Sequence, residues 1–419
     1  MINERERALD MLVSAENGKN INALKDAALA RDMIDTRGRG FVNEITLGTA
    51  RNLIYIDYVI NRYSKAKTAG MRPFVRALLR MTTYQLLFLD KVPASAAINE
   101  AVNLAKKRGY ANLAGFCNGV LRNIHRGGVI EPPGDDLFLS RKYSYAPWLT
   151  EYLVNLYGTE TAEQICAASL PTPNVHICAN TLKTTASELL SLLPNAVSTG
   201  DYGLLIPHMD IASTDSFREG AFHVMDYSSM RAVEALDPRP GDTVLDLCAA
   251  PGGKSFYSAY RMHNSGRIFA LDASPRLDLM SEQIKRLNIK IIQTQRHDVR
   301  IIMKELIGTA DRVLVDAPCT GFGVARRKPE IKYNKQQTDI SRLAQIQFDI
   351  LANAWQYLKP GGRLVYSTCT LTKEENSDNA RKLQNAAPLL SLDSESLTLP
   401  NPSSHEDGFY IAVFIRKDK

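Results

Sequence analysis

The sequence predicts a multidomain chain: an all-α N-terminal domain, a small α+β middle domain and a C-terminal α/β domain with a doubly wound sheet. Three observations predict it. Apolar residues recur at helical spacing through roughly the first 128 positions. From Thr243 onward, short β-branched runs alternate with helix-compatible stretches, as a parallel sheet with crossover helices requires. Two Pro/Gly/Asp-rich stretches, at 127–136 and 237–242, separate these regions. The expected domains are therefore 1–130, 131–239 and 240–419.

A chain of 419 residues is long enough for several separate cores. Its six cysteines (Cys117, Cys166, Cys178, Cys248, Cys319 and Cys369) form no C-x-x-C pair, so neither a zinc site nor a disulfide framework is expected, and no metal. No apolar run approaches the ~18 residues of a membrane span, and MINERERALD lacks the apolar core of a secretory signal. A cytoplasmic protein with free thiols and no membrane partner is expected.

In the first domain, Leu78, Met81 and Leu86, and then Ile98, Ala101, Val102 and Ala105, trace apolar helix faces. Pro93 and Ser95 open one helix, and Gly109 closes it behind Lys106, Lys107 and Arg108. Residues 1–130 carry 20 Lys/Arg against 11 Asp/Glu, while the remainder is slightly acidic. Such an imbalance suits a polyanion. Arg72, Arg76, Arg80, Arg122 and Arg126 join the 106–108 cluster as cations able to contact phosphate. Singly, each reads equally as a helix-surface charge, and those at 106–108 as complements to a helix C-terminus.

The middle region is mixed, with a helix around 148–156 and strand-like runs at 175–178, 204–206 and 221–225. In the last domain the expected strands are 243–246, 267–272, 290–294, 312–316 and 363–368, with a final apolar pair ending at 409–415. Ligands of doubly wound sheets gather beyond the strands' carboxyl ends. Asp246, Asp272, Asp298, Asp316 and Cys369 all fall there.

The organising stretch is VLDLCAAPGGKS, from Val244 to Ser255. Strand, glycine turn and helix start together present backbone N–H groups and a helix dipole to a polar or anionic ligand end. The dinucleotide fingerprint G-x-G-x-x-G is absent. Asp272, ending the next apolar run, can accept both hydroxyls of a ribose. The pair suits a nucleoside ligand such as S-adenosylmethionine, with its amino-acid end on the loop.

Two thiols stand at strand ends, in Asp316-Ala317-Pro318-Cys319 and Ser367-Thr368-Cys369-Thr370. An inert buried thiol is the ordinary reading of a lone cysteine, and it fits Cys117, Cys166, Cys178 and Cys248 better. A thiol beside a sulfonium methyl donor is what methylation of a pyrimidine carbon 5 requires. That carbon is a weak nucleophile until a thiolate adds at carbon 6 and makes it enamine-like. A nearby cation would favour the thiolate, and Lys254 is a candidate. Asp316 could bond the amine edge of a cytosine. Sequence alone does not rank the two thiols.

DLCAAPGGKS, DAPCTGFGVARRKPEIK and VYSTCTLTKEEN resemble the motifs of the NOL1/NOP2/Sun family of RNA cytosine-5 methyltransferases. The helical first domain followed by YSYAPWL (Tyr143 to Leu149) resembles its bacterial 16S ribosomal RNA branch, along the whole chain. The resemblance implies a NusB-like RNA-binding first domain and a Rossmann-like catalytic domain. It implies an S-adenosylmethionine site at Cys248, Ala249, Ala250, Pro251, Gly252, Gly253, Lys254, Asp272, Asp298 and Asp316, with Asp298 reaching the adenine. It further implies Cys369 as nucleophile, Cys319 as the thiol assisting product release, and Lys254 and Asp316 orienting the base. Arg326, Arg327 and Lys328 would line the RNA path. The implied partner is 16S RNA, with no DNA, and a monomer is expected. The alternatives are the same chemistry on another RNA such as transfer RNA, or a non-catalytic RNA-binding assembly factor. The family often has an arginine before the Asn-Thr of the middle domain, where this chain has Ala179-Asn180-Thr181. Ser255 for threonine and Thr320 for serine keep a hydroxyl.

Overall fold

The computed structural model describes residues 3–16, 21, 24, 35–206, 211, 214–403 and 406–418. The chain forms two compact units, Met1–Pro171 with Ala325–Asn334, and Thr172–Val324 with Lys335–Lys419. Among the described residues no helix is long and apolar enough to cross a membrane.

The first unit is helical: Glu4–Glu16, Thr36–Arg51, Leu53–Tyr63, Pro73–Phe88, Ala94–Lys107, Ala111–Gly127, Phe138–Tyr143, Pro147–Tyr157 and Thr159–Ala167. Leu78 and Met81, and Ile98, Ala101 and Ala105, lie in its core as their spacing predicts. The Ala94–Lys107 helix starts behind Pro93 and ends before Gly109, whose φ of 82° a side chain would strain. The 138–167 helices belong to this unit. Ser144 Oγ accepts from Tyr55 N at 3.0 Å, and Tyr55 Oη donates to Ile130 O at 3.2 Å.

Segment Ala325–Asn334 completes the helical unit from far along the chain. Its Lys332 is fully buried and donates to Arg51 O at 2.6 Å, Tyr143 O at 2.8 Å and Ser169 Oγ at 3.3 Å. Burial pushes its ammonium pKa well below the usual lysine range.

The second unit holds two sheets. The smaller is antiparallel, built from β1 (Val175–Ala179), β2 (Val197–Ser198), β3 (Gly203–Ile206) and β4 (Phe222–Val224) in the order β2-β3-β1-β4. At the end of β1, buried Asn180 donates to Gly220 O at 2.8 Å and Leu287 O at 2.9 Å. The larger sheet has β5 (Thr243–Asp246), β6 (Arg267–Asp272), β7 (Ile292–Arg296), β8 (Ala310–Asp316), β9 (Leu358–Thr368), β10 (Leu390–Thr398) and β11 (Phe409–Arg416). Its order is β10-β11-β9-β8-β5-β6-β7, parallel from β9 to β7 and antiparallel from β9 to β10. The chain runs outward from β5 to β7 and returns at β8 beside β5, which makes β5/β8 the topological switch point.

Several strands differ from the sequence reading, three of them most clearly. β7 lies two residues later, and β9 begins at Leu358 through a Gly-containing extension. β10 (LSLDSESLT) was not expected as a strand at all: it is a polar, mostly exposed edge strand, so its alternation carries almost no apolar signal.

Gly323 and Gly408 pack backbone to backbone. Gly323 N donates to Cys369 O at 3.0 Å, and Gly408 N to Gly323 O at 2.9 Å. A Cβ on Gly323 would come within 2.1 Å of Gly408 O, which no side-chain rotation can relieve. Gly323→Ala is therefore expected to destabilise the protein by about 2–3 kcal/mol, measured as a lowered denaturation midpoint. An unchanged midpoint would contradict this packing.

Candidate active site

The turn after β5 is shaped by sterics before any ligand enters. Gly252 caps the Gly253–Arg261 helix at φ 112°, and a Cβ there would meet the Phe256 ring at 2.3 Å. His223, buried on β4, contacts Gly253 O through Nε2 at 3.2 Å and Tyr260 Oη through Nδ1 at 3.2 Å. Burial lowers its pKa to about 3, so it holds the turn as a neutral ring. Asp272, at the end of β6, accepts from Ala250 N at 2.9 Å and Ser274 N at 2.6 Å. The loop and the acidic residue read from the sequence are thus joined.

A cavity of about 170 Å³ opens against this turn. Cys248, Ala249, Ala250, Pro251, Gly253, Lys254 and Asp316 line it, as does Asp246. Four further lining residues were missed by the sequence reading: Val224, Met225, Asp226 and Ser229, which follow or end β4. The Asp226-Tyr227-Ser228-Ser229 start of a helix behind a short strand was the available signal. Asp226 caps that helix, accepting from Ser228 N at 2.9 Å.

Asp246 is 1% exposed; its Oδ2 accepts from Ser255 Oγ at 2.6 Å and, among the described residues, its Oδ1 has no hydrogen-bond partner. Burial pushes its pKa up to about 7. An unpartnered buried acceptor beside a loop of backbone donors suits a ligand carrying both a cationic and an anionic end, such as the amino-acid end of S-adenosylmethionine. Of the residues expected at the cofactor, Gly252, Asp272 and Asp298 do not line this cavity; both oxygens of Asp298 are held by Arg300, at 2.9 and 2.6 Å.

The second half of the site lies at the ends of β8 and β9. Their parallel register sets Asp316 opposite Ser367, so Cys319 and Cys369 leave the sheet side by side, with Sγ atoms 3.3 Å apart. Beneath them is Glu375, fully buried. One of its oxygens accepts from Thr320 N and Gln347 Nε2, both at 2.9 Å; the other accepts from Thr320 Oγ1 at 2.6 Å and Thr372 Oγ1 at 2.7 Å. Thr320 Oγ1 also meets Thr370 Oγ1 at 2.6 Å. Each cysteine loop is therefore tied, one residue past its thiol, to the same cluster. The sequence reading missed Glu375; it lies six residues after Cys369 in the quoted motif, and nothing in one sequence separates it from Glu374 beside it.

Lys254 Nζ pairs with Asp316 Oδ2 at 2.7 Å and donates to Ser229 Oγ at 3.2 Å. Asp316 Oδ1 accepts from Ser367 Oγ at 2.8 Å. The expected electrostatic assistance from Lys254 to a thiolate needs correcting, because its charge is directed to Asp316. The Cys319 thiol is held well above the usual range, first by its hydrogen bond with Cys369, then by burial and by Glu375 and Asp316. Burial also raises Cys117 to about 11, Cys166 to about 12, and Cys178 and Cys248 well above the ordinary thiol value.

The reading of Arg326 as a lining of the RNA path also needs correction. It is 6% exposed, with Nε donating to Ala168 O at 2.9 Å inside the helical unit. Arg327 is half-buried and Lys328 exposed. Among the described residues no cluster of His, Cys, Asp and Glu is arranged to hold a metal.

Two outcomes follow. Asp246 in the folded protein keeps its proton up to about pH 7, whereas an unfolded aspartate loses it near pH ~4. The folded state then binds more protons across this window, so the contribution is full below pH ~4 and is lost as pH rises through 7. Without ligand, the melting temperature should fall from pH 5 to 8, and Asp246→Asn should flatten that slope. Glu375→Ala strands several buried donors and should cost roughly 3 kcal/mol; Glu375→Gln should cost less, yet broaden the Cys319–Cys369 distance distribution seen by cysteine cross-linking.

Comparison with known proteins agrees with this geometry. Residues 233–415 match the family described as 16S rRNA methyltransferase RsmB/F, and residues 2–126 the NusB family. The chain is 39% identical over 388 residues to the probable ribosomal RNA small subunit methyltransferase B of Bacillus subtilis (strain 168), covering 89% of this chain and 86% of that one. It is 31% identical over 418 residues to the protein of the same description from Synechocystis, covering 92% and 93%. Among solved structures, PH0851 superposes with a TM-score of 0.85 at 27% identity over 98% of both chains. A methyltransferase homologue from Pyrococcus horikoshii gives 0.59 at 29% identity, over 68% of this chain and all of the other (100%). A NusB-type helical domain, a small α+β sheet and a Rossmann-like catalytic sheet with converging acids and thiols thus stand in one chain, which belongs to the RsmB/F family of 16S rRNA methyltransferases.

Proposed function

We propose that this protein methylates carbon 5 of a cytosine in 16S ribosomal RNA, using S-adenosylmethionine and a transient covalent bond to Cys369. The observation that carries the reading is the pair of thiols 3.3 Å apart beside the Lys254–Asp316 ion pair. Cys248 to Lys254, Asp272 and Asp316 would hold S-adenosylmethionine, with Asp272 at the ribose and Asp298 turning from Arg300 toward the adenine. When bound, it supplies an electrophilic methyl group.

The chain's own residues do the rest. Cys369 Sγ bonds to carbon 6 and the ring electrons move to carbon 5, which becomes nucleophilic. Cys319, which holds its proton tightly, can donate a hydrogen bond to the Cys369 thiolate before attack and again as it leaves. The Asp316–Lys254 pair offers an acceptor to the cytosine amine and a cation beside the charge that builds in the ring. Once carbon 5 carries the methyl group and gives up its proton to a base, the Sγ–carbon 6 bond breaks and aromaticity returns. A stacked base is unreachable for this chemistry, so the target is single-stranded or extruded. Arg327 and Lys328 serve the RNA backbone, and the protein works as a cytoplasmic monomer.

The test is transfer of labelled methyl from S-adenosylmethionine to unmodified 16S RNA. Wild type should label a cytosine, Cys369→Ala should lose at least 1,000-fold in rate (roughly 4 kcal/mol), and Cys319→Ala should accumulate a protein–RNA adduct stable to denaturant. Exchange of the two phenotypes would reverse the thiol roles. Labelling of transfer RNA instead, or binding without labelling, would remove the substrate or the activity from this proposal.

A further inference from the structure

The helical unit sorts its own cations. Arg76 and Arg80 are held by Glu16 and Asp57, and Lys107 and Arg108 by Glu6 and Asp10. These contacts are 2.5–3.0 Å, so each of these cations already faces a carboxylate. Arg122 and Arg126 differ. Both are exposed, and their side-chain hydrogen bonds go to neutral groups, Arg122 to Asn118 Oδ1 at 3.1 Å and Arg126 to Asn123 Oδ1 at 2.5 Å.

The two arginines share one groove of about 540 Å³ between helices Ala94–Lys107 and Ala111–Gly127. Asn99, Asn123 and His125 add polar groups, and among the described residues no carboxylate lines it. A second observation points the same way. Gly119 lies in this groove, inside a helix, where a Cβ would meet nothing within 4 Å and where φ is ordinary. Neither packing nor backbone conformation asks for glycine there, and glycine is a poor helix former. It leaves bare backbone on the helix face that lines the groove.

We propose that this groove docks the phosphate backbone of the RNA substrate, with Arg122 and Arg126 as its phosphate-contacting cations and Gly119 as its floor. This rests on the reading of the protein as an RNA methyltransferase. Positions 119, 122, 123 and 126 fall on one helix face, so they present an arginine pair flanked by amide groups along a single line. Such a surface positions a strand without reading its bases.

The experiment is binding of full-length protein to unmodified 16S RNA by fluorescence anisotropy across a salt series, alongside methyl transfer. Arg122→Gln/Arg126→Gln should weaken binding about tenfold at low salt and flatten the log–log salt slope by roughly 1.5, the value for two lost phosphate contacts. The RNA concentration for half-maximal labelling should rise in step. Gly119→Glu should weaken binding similarly while leaving the melting temperature at or above wild type, since its Cβ enters open space. Lys382→Gln, an exposed cation of the other unit, is the charge control and should do neither. Wild-type affinity and slope in the arginine variant, with methylation intact, would overturn the groove and leave the enzyme reading standing. The same result, with loss of binding to an acidic peptide probe, overturns it in favour of a protein partner. Failure of wild type to methylate while the arginine variant still loses RNA binding would remove the enzyme reading and leave the groove.

Discussion

The catalytic half of this protein depends on one buried carboxylate. Glu375 makes no contact with solvent, yet it accepts from the backbone and hydroxyl of Thr320, from Thr372 and from Gln347. Two parallel strands end there, and each would otherwise release a flexible loop carrying a thiol. A charge in the interior is tolerated only when donors surround it. Here that requirement also sets the direction in which both loops leave the sheet. Gln347 extends the constraint, donating to Pro318 O beside one thiol and accepting from Tyr366 on β9 and from Asn379. The 3.3 Å approach of Cys319 and Cys369 is the outcome of these bonds.

The cofactor side follows a different logic, of backbone conformation before charge. Gly252 accepts a conformation and a ring contact that a side chain would forbid, and neutral His223 steadies the same turn from below. The acids then divide their duties by environment. Asp246 is buried and proton-holding, Asp272 accepts from Ala250 N of the loop and from Ser274 N, and Asp316 is paired with Lys254. Lys254 and Asp316 border the cavity, and β8 carries Asp316 on to Cys319 three residues later. The two halves of the site are thereby joined along the switch point of the sheet.

In the helical unit the basic composition divides into two populations. Glu6, Glu16, Asp10 and Asp57 bind Arg76, Arg80, Lys107 and Arg108, and so join helices distant in sequence. Lys332 also joins helices, from the 325–334 segment, closing the Arg51, Tyr143 and Ser169 acceptors with one amino group. A positive residue in such a region is therefore a stability element where a carboxylate or a set of buried acceptors holds it.

The sequence by itself determined the fold class, the glycine turn, and the acids and two thiols placed at strand ends. Each is a local pattern: β-branched runs, a P-G-G turn, a residue following a strand. Local patterns survive without tertiary information because they reflect propensities acting over a few residues. Tertiary structure decided the rest. Only packing could show that Arg326 is interior, that Lys254 serves Asp316, and that Asp226 and Ser229 reach the cavity. Only packing could choose Glu375 over Glu374, or show β10 to be a strand despite its polar sequence. These are pairings between residues tens to hundreds of positions apart, and one sequence carries no record of which partner each charge finds.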